Sequence, residues 1–575
     1  MSVKQKVLQF GRVFRQLTWR MDQRLLLIII AGVVGGLSGL SAVILNEMLS
    51  RVYHALKPLH AHWGSLVLPA LGAGLSCLFL GYIMREGAGH GVPEVIYSVL
   101  KRGGLLRLRS SFSRLISSTL TIASGGSAGP EAPVVISGAS IGSNIAKKFG
   151  LNDRQRIVIV GSGAAGAISS IFNAPVAGMI FAVEVILGDW TPISLIPIAI
   201  ASVMGAEVSR LLEGNQIPFT HHAFHAGLLD ITACVGLGLV AGLASVLFTR
   251  LLHGIGAKSR KMVRFDTLRA ALGGTCVGLL GLFLPVVLGE GYEVVRSVIE
   301  NRFEAGLLLA TGATLAKILA TSLTIGSGGS GGIFAPCLVI GSLGGLAYER
   351  ALIFLWPGVA WAEGGLFALL GMAGVMSGTL QAPLTGIFLI VEVTGSYEVM
   401  LPLILVSAVS ATLCHYMEPV SFYHKELASQ GQLLRPRTDA GLLADLSVLE
   451  LLEKDCVVVS EDMRLRDMIS IIQQTSRNYF PVENARGDFV GLVHLDDLRP
   501  YIFNPVFYDA VVVGELVQSD IPHVSPFDDL REVLDLMDQT RSWSLPVVHR
   551  NKYLGMVSKG SILDQYRKEL VVQSY

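Results

Sequence analysis

The chain has 575 residues, 51% of them hydrophobic and 15% charged, with a mean hydropathy of +0.57. An average soluble domain carries roughly 25% charged residues, so the composition excludes an ordinary soluble enzyme and indicates a membrane protein. The net charge of +1 identifies no partner, no nucleic-acid partner is expected, and the six scattered cysteines form no CxxC pair and have no histidine at ligand spacing, so neither a disulfide framework nor a metal site is signalled.

Residues 1–24 carry Lys4, Lys6, Arg12, Arg15, Arg20 and Arg24 against Asp22 alone, interleaved with Leu8, Phe10, Phe14 and Trp19. This amphipathic segment is expected on the membrane surface, and its positive charge places it in the cytoplasm. The apolar run from Leu25 to Leu45 exceeds a signal-peptide core of about 7–15 residues and is predicted as the first span. Further apolar stretches lie near 66–84, 157–187, 191–212, 227–252, 268–288, 306–325, 333–348, 365–394 and 400–416. Many are too short or too long for one span of about 20 residues, which points to tilted and interrupted helices.

Glycine supplies 64 residues, well above the usual share of about 7%, and the excess gathers at 87–91, 125–130 and 326–332. At membrane depth the backbone stops being helical only where protein or a wet cavity satisfies its polar groups, so glycine clusters point to a site. An internal repeat sharpens this. Ala174-Pro175-Val176-Ala177-Gly178 running on to Val183-Glu184-Val185 recurs as Ala382-Pro383-Leu384-Thr385-Gly386 running on to Val391-Glu392-Val393, and Ala132-Pro133 recurs as Ala335-Pro336. Two halves with matched interrupted segments mark a transporter fold whose site lies near the midplane between repeats. Each interrupted segment starts a helix inside the membrane, where unpaired N–H groups and the helix dipole favour an anion. Acids inside the apolar runs are few, chiefly Glu131, Glu184 and Glu392, so no carboxylate-lined cation pore is evident.

Gly89-His90-Gly91-Val92-Pro93, Gly129-Pro130-Glu131-Ala132-Pro133 and Gly331-Gly332-Ile333-Phe334-Ala335-Pro336 resemble the three selectivity signatures of the CLC family of chloride channels and proton/chloride exchangers, written GSGIP, GREGP or GKEGP, and GxFxP. The Ala-Pro-Leu-Thr-Gly run at 382–386 and Tyr423 also match, so the resemblance runs in order over most of residues 25–430. It implies an all-α polytopic membrane domain at 25–430 with broken helices and inverted halves of about 25–215 and 226–430. A homodimer with one pore per subunit is implied, in the inner (plasma) membrane with both termini cytoplasmic. The implied function is selective passage of chloride or a similar small anion, not enzymatic catalysis, and no cofactor is required.

The resemblance also assigns residues. Glu131 matches the gating glutamate, which blocks the anion path when ionised and swings out when protonated; a helix-capping role is the bland alternative. Ile333 and Phe334 match the segment whose backbone amides hold the central anion, and Tyr423 matches a hydroxyl donor to it, although an interfacial tyrosine is the other account. His90 stands where chloride-conducting members usually carry Ser, so anion preference is open between an imidazole donor and backbone donors at Gly91 with His90 turned away. Val185 stands where many exchangers place a second glutamate that relays protons. Its loss favours a passive channel, with a proton-coupled antiporter as the alternative and a non-conducting sensor as a remote one. Glu184 and Glu392 are expected to be structural hydrogen-bonding acids.

After a linker at 431–450, residues 451–575 are as charged as a soluble domain and contain a second repeat. Val457-Val458-Val459-Ser460, a helical pattern at 464–475, Phe480-Pro481-Val482 and Phe489-Val490-Gly491-Leu492-Val493 resemble a CBS module. A second follows with Leu545-Pro546-Val547-Val548 and Tyr553-Leu554-Gly555-Met556-Val557-Ser558. The modules span about 451–505 and 514–570 and imply a small cytosolic α/β CBS-pair domain. Such pairs often bind adenine nucleotide through a Ser/Thr-x-x-Asp segment. Here His494 precedes Asp497, and Ser558 precedes Ser561, so Asp497 and Ser558 are the candidate contacts, and dimerisation is the competing role. A CBS-bearing metalloprotease would need HExxH, which is absent from the sequence, and a magnesium transporter would need convergent carboxylates.

Overall fold

The computed structural model describes residues 22–60, 64–87, 91–188, 190–215, 219, 228–429 and 446–574. Residues 1–21 of the basic N-terminal segment, His90 and most of the 431–450 linker lie outside the described residues. The chain divides into two compact units, Met1–Leu434 and Arg435–Tyr575.

The first unit is helical throughout. In chain order its helices are α1 (Gln23–Leu56), α2 (Gly64–Leu78), α3 (Val92–Lys101), α4 (Ser110–Ala123), α5 (Glu131–Lys148), α6 (Asp153–Phe172), α7 (Pro175–Phe181) and α8 (Pro192–Glu213). The second half continues with α9 (Leu228–Met262), α10 (Asp266–Phe283), α11 (Tyr292–Ile299), α12 (Leu307–Gly326), α13 (Phe334–Leu355), α14 (Gly364–Leu380), α15 (Pro383–Thr394), α16 (Met400–Met417) and α17 (Phe422–Ser429). Among the described residues eight helices are long and apolar enough to cross a membrane. Their outward faces present Leu, Ile and Val to the surroundings, as on α1 (Ile29, Val33, Leu37) and α9 (Leu239, Leu243), the pattern a lipid-facing helix requires.

The first span is longer than its predicted Leu25–Leu45 core, because α1 runs on to Leu56. The stretches 157–187 and 365–394 are each two helices broken at the same motif. Asn173 (φ 53°) and Gln381 (φ 54°) end α6 and α14 in the left-handed conformation. Ala174 and Ala382 then turn the chain at φ −130° and −129°, and Pro175 and Pro383 open the next helix. A proline at the first helical position lacks an N–H that would have been orphaned there anyway. The two halves also pack alike. Gly138 of α5 lies against Gly163 of α6 so closely that a Cβ on either would stand 2.3 or 2.1 Å from the other's carbonyl oxygen, and Gly341 of α13 and Gly371 of α14 repeat the contact at 2.4 and 2.2 Å. Small residues at these crossings let helix backbones touch, the main source of helix association where lipid supplies no hydrophobic drive.

The second unit holds two small α/β layers. In one, β1 (Val459–Ser460) pairs parallel with β2 (Tyr479–Glu483), which pairs antiparallel with β3 (Phe489–His494), flanked by α18 (Leu465–Gln474) and α19 (Leu495–Ile502). In the other, β4 (Ser544–His549) and β5 (Lys552–Ser558) form an antiparallel pair beside α20 (Leu530–Gln539) and α21 (Lys559–Ser574). Each has its own apolar core, around Phe480, Val482 and Val493 in one and Leu545, Val547 and Val557 in the other. They are joined by Glu453, whose N–H donates to the Met556 carbonyl and whose carbonyl accepts from the Met556 N–H.

Candidate anion pathway and gate

Two helix heads meet at the centre of the first unit. α4 stops at Ser124 and α12 at Ser327, each followed by a glycine turn in which Gly126 donates to the Thr121 carbonyl and Gly329 to the Thr324 carbonyl, both at 2.9 Å. The turns are stitched to one another reciprocally. Gly129 N–H donates to Gly332 O (2.8 Å) and Gly332 N–H to Gly129 O (2.6 Å). The Ser127 amide donates to Thr324 Oγ1 (3.0 Å), and the Ser330 amide to Thr121 Oγ1 (3.2 Å). Non-helical backbone at this depth is therefore satisfied by its counterpart in the other repeat, which is the condition for its survival in a membrane.

From these turns α5 starts at Glu131 and α13 at Phe334. Neither start has a side-chain cap, so the first N–H groups of an 18-residue and a 22-residue helix are left facing the site with their partial positive charge. Ile333 and Phe334 are each 1% exposed and stand at the head of α13 directly after Gly332, against which the Glu131 carboxyl lies. The Phe334 ring packs edge-on against Phe181 with centroids 5.2 Å apart, so its side chain is core, as expected.

Glu131 is fully buried. Its Oε1 accepts a hydrogen bond from the Tyr292 hydroxyl, while the buried Oε2 makes no hydrogen bond of ordinary geometry among the described residues, and the carboxyl faces the backbone amides of its own helix start and of Ala335 on the opposite head. Oε2 sits over the paired turns: a Cβ on Gly129 would lie 2.1 Å from it, so only glycine leaves room for the carboxyl there. Tyr423, on α17, is 1% exposed, and its hydroxyl is likewise buried without a partner among the described residues. It lies within electrostatic reach of Glu131 and of Cys337 on α13. A buried hydroxyl left unbonded costs on the order of 1–3 kcal/mol unless something fills the site. The structure thus gathers Glu131, the Ile333–Phe334 amides and Tyr423 about one point. Gly91 heads α3 and packs against Ile136 of α5.

Glu184 and Glu392 are caps exchanged between repeats. Glu184 accepts from the amides of Leu384 (3.2 Å) and Thr385 (2.7 Å) and from the Thr385 hydroxyl (2.6 Å) at the head of α15. Glu392 accepts from the amides of Val176 (3.0 Å) and Ala177 (2.7 Å) at the head of α7. Val185, next in line, is 9% exposed and packs in the apolar core.

Three further residues stand beside the gate. Glu290 stands on the loop leading into α11 and Tyr292 is that helix's first residue, and Lys317 lies within α12 with no exposed surface, its Nζ donating to the carbonyls of Val287 (3.1 Å) and Gly289 (3.0 Å). Lys317 was legible as a lone cation inside the apolar run 306–325; Glu290 and Tyr292 fall just past the end of one and carried no such signal.

In the second unit Asp497 accepts from Gln518 Nε2 (2.8 Å), and the Ser558 hydroxyl donates to Glu453 and lies 3.3 Å from Ser561 Oγ. His494 packs edge-on against Tyr479 with centroids 4.5 Å apart.

Residues 71–415 match the voltage gated chloride channel family. This chain belongs to that family, the CLC family. Two CBS domains match at 448–504 and 513–568. Among curated relatives, a Ralstonia nicotianae protein named as a ClcB-like chloride channel protein is 31% identical over 69% of this chain and 96% of its own length. The H(+)/Cl(−) exchange transporter ClcA of Vibrio vulnificus is 30% identical over 68% of this chain and 86% of its own length. A crystal structure of a eukaryotic CLC transporter covers 94% of this CLC chain and 99% of its own at a TM-score of 0.65 and 17% identity, a likeness of fold.

Proposed function

We propose that this CLC protein exchanges chloride for protons across the membrane, with Glu131 as the group that both blocks the anion path and carries the proton. The observation that carries the reading is the Glu131 carboxyl itself, buried over two opposed helix heads with one oxygen that makes no hydrogen bond of ordinary geometry among the described residues. An ionised carboxylate satisfies those helix ends as chloride would, so the two compete for one place. Protonation removes the charge and with it the reason to stay. Chloride then takes the amides of Ile333 and Phe334 and the Tyr423 hydroxyl, with donors at Gly91 on the approach.

This departs from the passive channel that Val185 alone favours, because the exchange reading has the support of relatives named as H(+)/Cl(−) exchange transporters. The channel remains the second reading, supported by the buried Val185, which cannot relay a proton, and by the relative named as a chloride channel protein. The membrane orientation with cytoplasmic termini rests on the basic residues before α1, and a homodimer and chloride as the preferred anion rest on family membership. The CBS pair is read as a scaffold or dimer contact, because Asp497 and Ser558 already have protein partners.

The test is reconstitution in chloride-loaded liposomes with chloride and proton movement recorded together, for wild type, Glu131→Ala and Val185→Glu. Exchange requires an outward chloride gradient to drive protons uphill in a fixed ratio, and Glu131→Ala to abolish the proton arm while chloride still moves. Chloride efflux without proton movement in the wild type establishes the channel instead.

A further inference from the structure

Beside the gate is a cavity of about 900 Å³, whose wall includes Asn46, Tyr53, Pro130, Glu290, Tyr292 and Arg296. It lies along the late part of α1, residues 46–53, more than twenty residues from the helix start at Gln23. At 1.5 Å per residue that separation is about 35 Å, roughly the thickness of a bilayer core. With the basic segment before α1 in the cytoplasm, the cavity opens on the opposite face. Pro130 and Tyr292 join it to the gate: one precedes Glu131 in sequence and the other hydrogen-bonds it.

The loop that leads into Tyr292 is held from two sides. The Lys317 ammonium, without exposed surface, donates to two loop carbonyls, and the Gly289 amide is tied to the Gly125 carbonyl of the first repeat's turn (3.2 Å). Directly after these anchors comes Glu290, half-buried in the cavity wall and within electrostatic reach of Lys317, Tyr292 and Glu131. The charged and titratable groups about it are therefore Glu131 from α5, Lys317 from α12, Tyr292, Glu293 and Arg296 from α11, and Tyr53 from α1. Glu290 supplies a countercharge to the Lys317 ammonium, whose carbonyl partners carry none, and it stands in the cavity wall two positions before the gate's hydrogen-bond partner, Tyr292.

We propose that Glu290 is the outer proton port of this protein, taking a proton from cavity water and passing it to Glu131 with the Tyr292 hydroxyl as the final donor. This rests on the exchange reading above. The step balances as a relay: hydronium protonates the Glu290 carboxylate, Glu290 gives a proton to Tyr292 Oη as Oη gives its own to Glu131, and Glu290 returns ionised. Lys317 is a positioning residue that holds the loop, and its charge opposes the burial that favours the protonated form of Glu290.

The experiment measures proton and chloride flux in liposomes of the full chain, with outer pH varied, for wild type, Glu290→Gln, Tyr292→Phe and the double variant Glu290→Gln/Lys317→Met. The port requires Glu290→Gln to lower proton flux at least about tenfold and to move the pH of half-activation to the acid side, since removing a neighbouring negative charge makes Glu131 harder to protonate. Tyr292→Phe is expected to slow proton flux with smaller effect on chloride. Wild-type proton flux and pH dependence in Glu290→Gln overturn the proposal. So does recovery of normal coupling in the double variant, which would make Glu290 only the counter-charge of Lys317. If wild type moves chloride without protons, the exchange reading fails separately, and the port then stands or falls on whether Glu290→Gln shifts the outer-pH activation of chloride flux.

Discussion

Replacing Glu184 by alanine removes three hydrogen bonds from the head of α15 at once: those from the amides of Leu384 and Thr385 and from the Thr385 hydroxyl. Hydrogen bonds to a charged group contribute about 1.5–3 kcal/mol each, and the amides left behind lose the one carboxylate that caps them. Because the three share one carboxylate and do not add fully, the expected cost is about 3–5 kcal/mol. With roughly 2 cal/mol/K of unfolding entropy per residue over the membrane unit, that corresponds to a fall on the order of 5 °C in apparent melting temperature. Glu392→Ala, which releases two amides at the head of α7, should cost somewhat less. The assay is thermal unfolding of the purified protein in detergent, followed by the chloride and proton ratio of each variant in liposomes. A cap predicts lower stability with the ratio unchanged in Glu184→Gln. Unchanged stability in Glu184→Ala together with lost proton coupling in Glu184→Gln would refute the reasoning and make Glu184 a relay.

Gly129→Ala places a Cβ in the space of Glu131 Oε2, so the carboxyl is expected to leave the paired turns and chloride flux to become nearly independent of pH, read in the same liposome assay. In the second unit, Arg477 donates to Asp455 Oδ2 at 2.5 and 2.9 Å and holds that carboxyl below its ordinary 3.8. A depressed carboxylate contributes stability that is present above its unfolded value and lost as pH falls through the folded one. Asp455→Asn should therefore flatten the acid-side loss of hydrogen-exchange protection in residues 479–494 as pH falls below about 4. Adenine nucleotide is expected to leave exchange at residues 490–500 and 552–562 unchanged; protection appearing at both segments would show that nucleotide displaces Gln518 from Asp497 and Glu453 from Ser558.

Membrane class, the interrupted helices and the gate were legible in the sequence, because each is written in local chemistry. Apolar runs set the spans, glycine clusters mark where helices stop, and a carboxylate in an otherwise apolar region is too costly to be idle. The repeat was legible for the same reason: Asn173-Ala174-Pro175 and Gln381-Ala382-Pro383 impose the same turn wherever they occur. What the tertiary structure decided is which groups meet. Glu184 and Glu392 are written as twins, but only the crossing of the halves brings each to the other repeat's helix head. Tyr292 stands far from Glu131 in sequence, and the Gly129–Gly332 pairing is a contact between two loops that no periodicity encodes. A sequence fixes each helix's preferred ends and faces, whereas the partner of a buried polar atom is set by the packing of helices from distant parts of the chain.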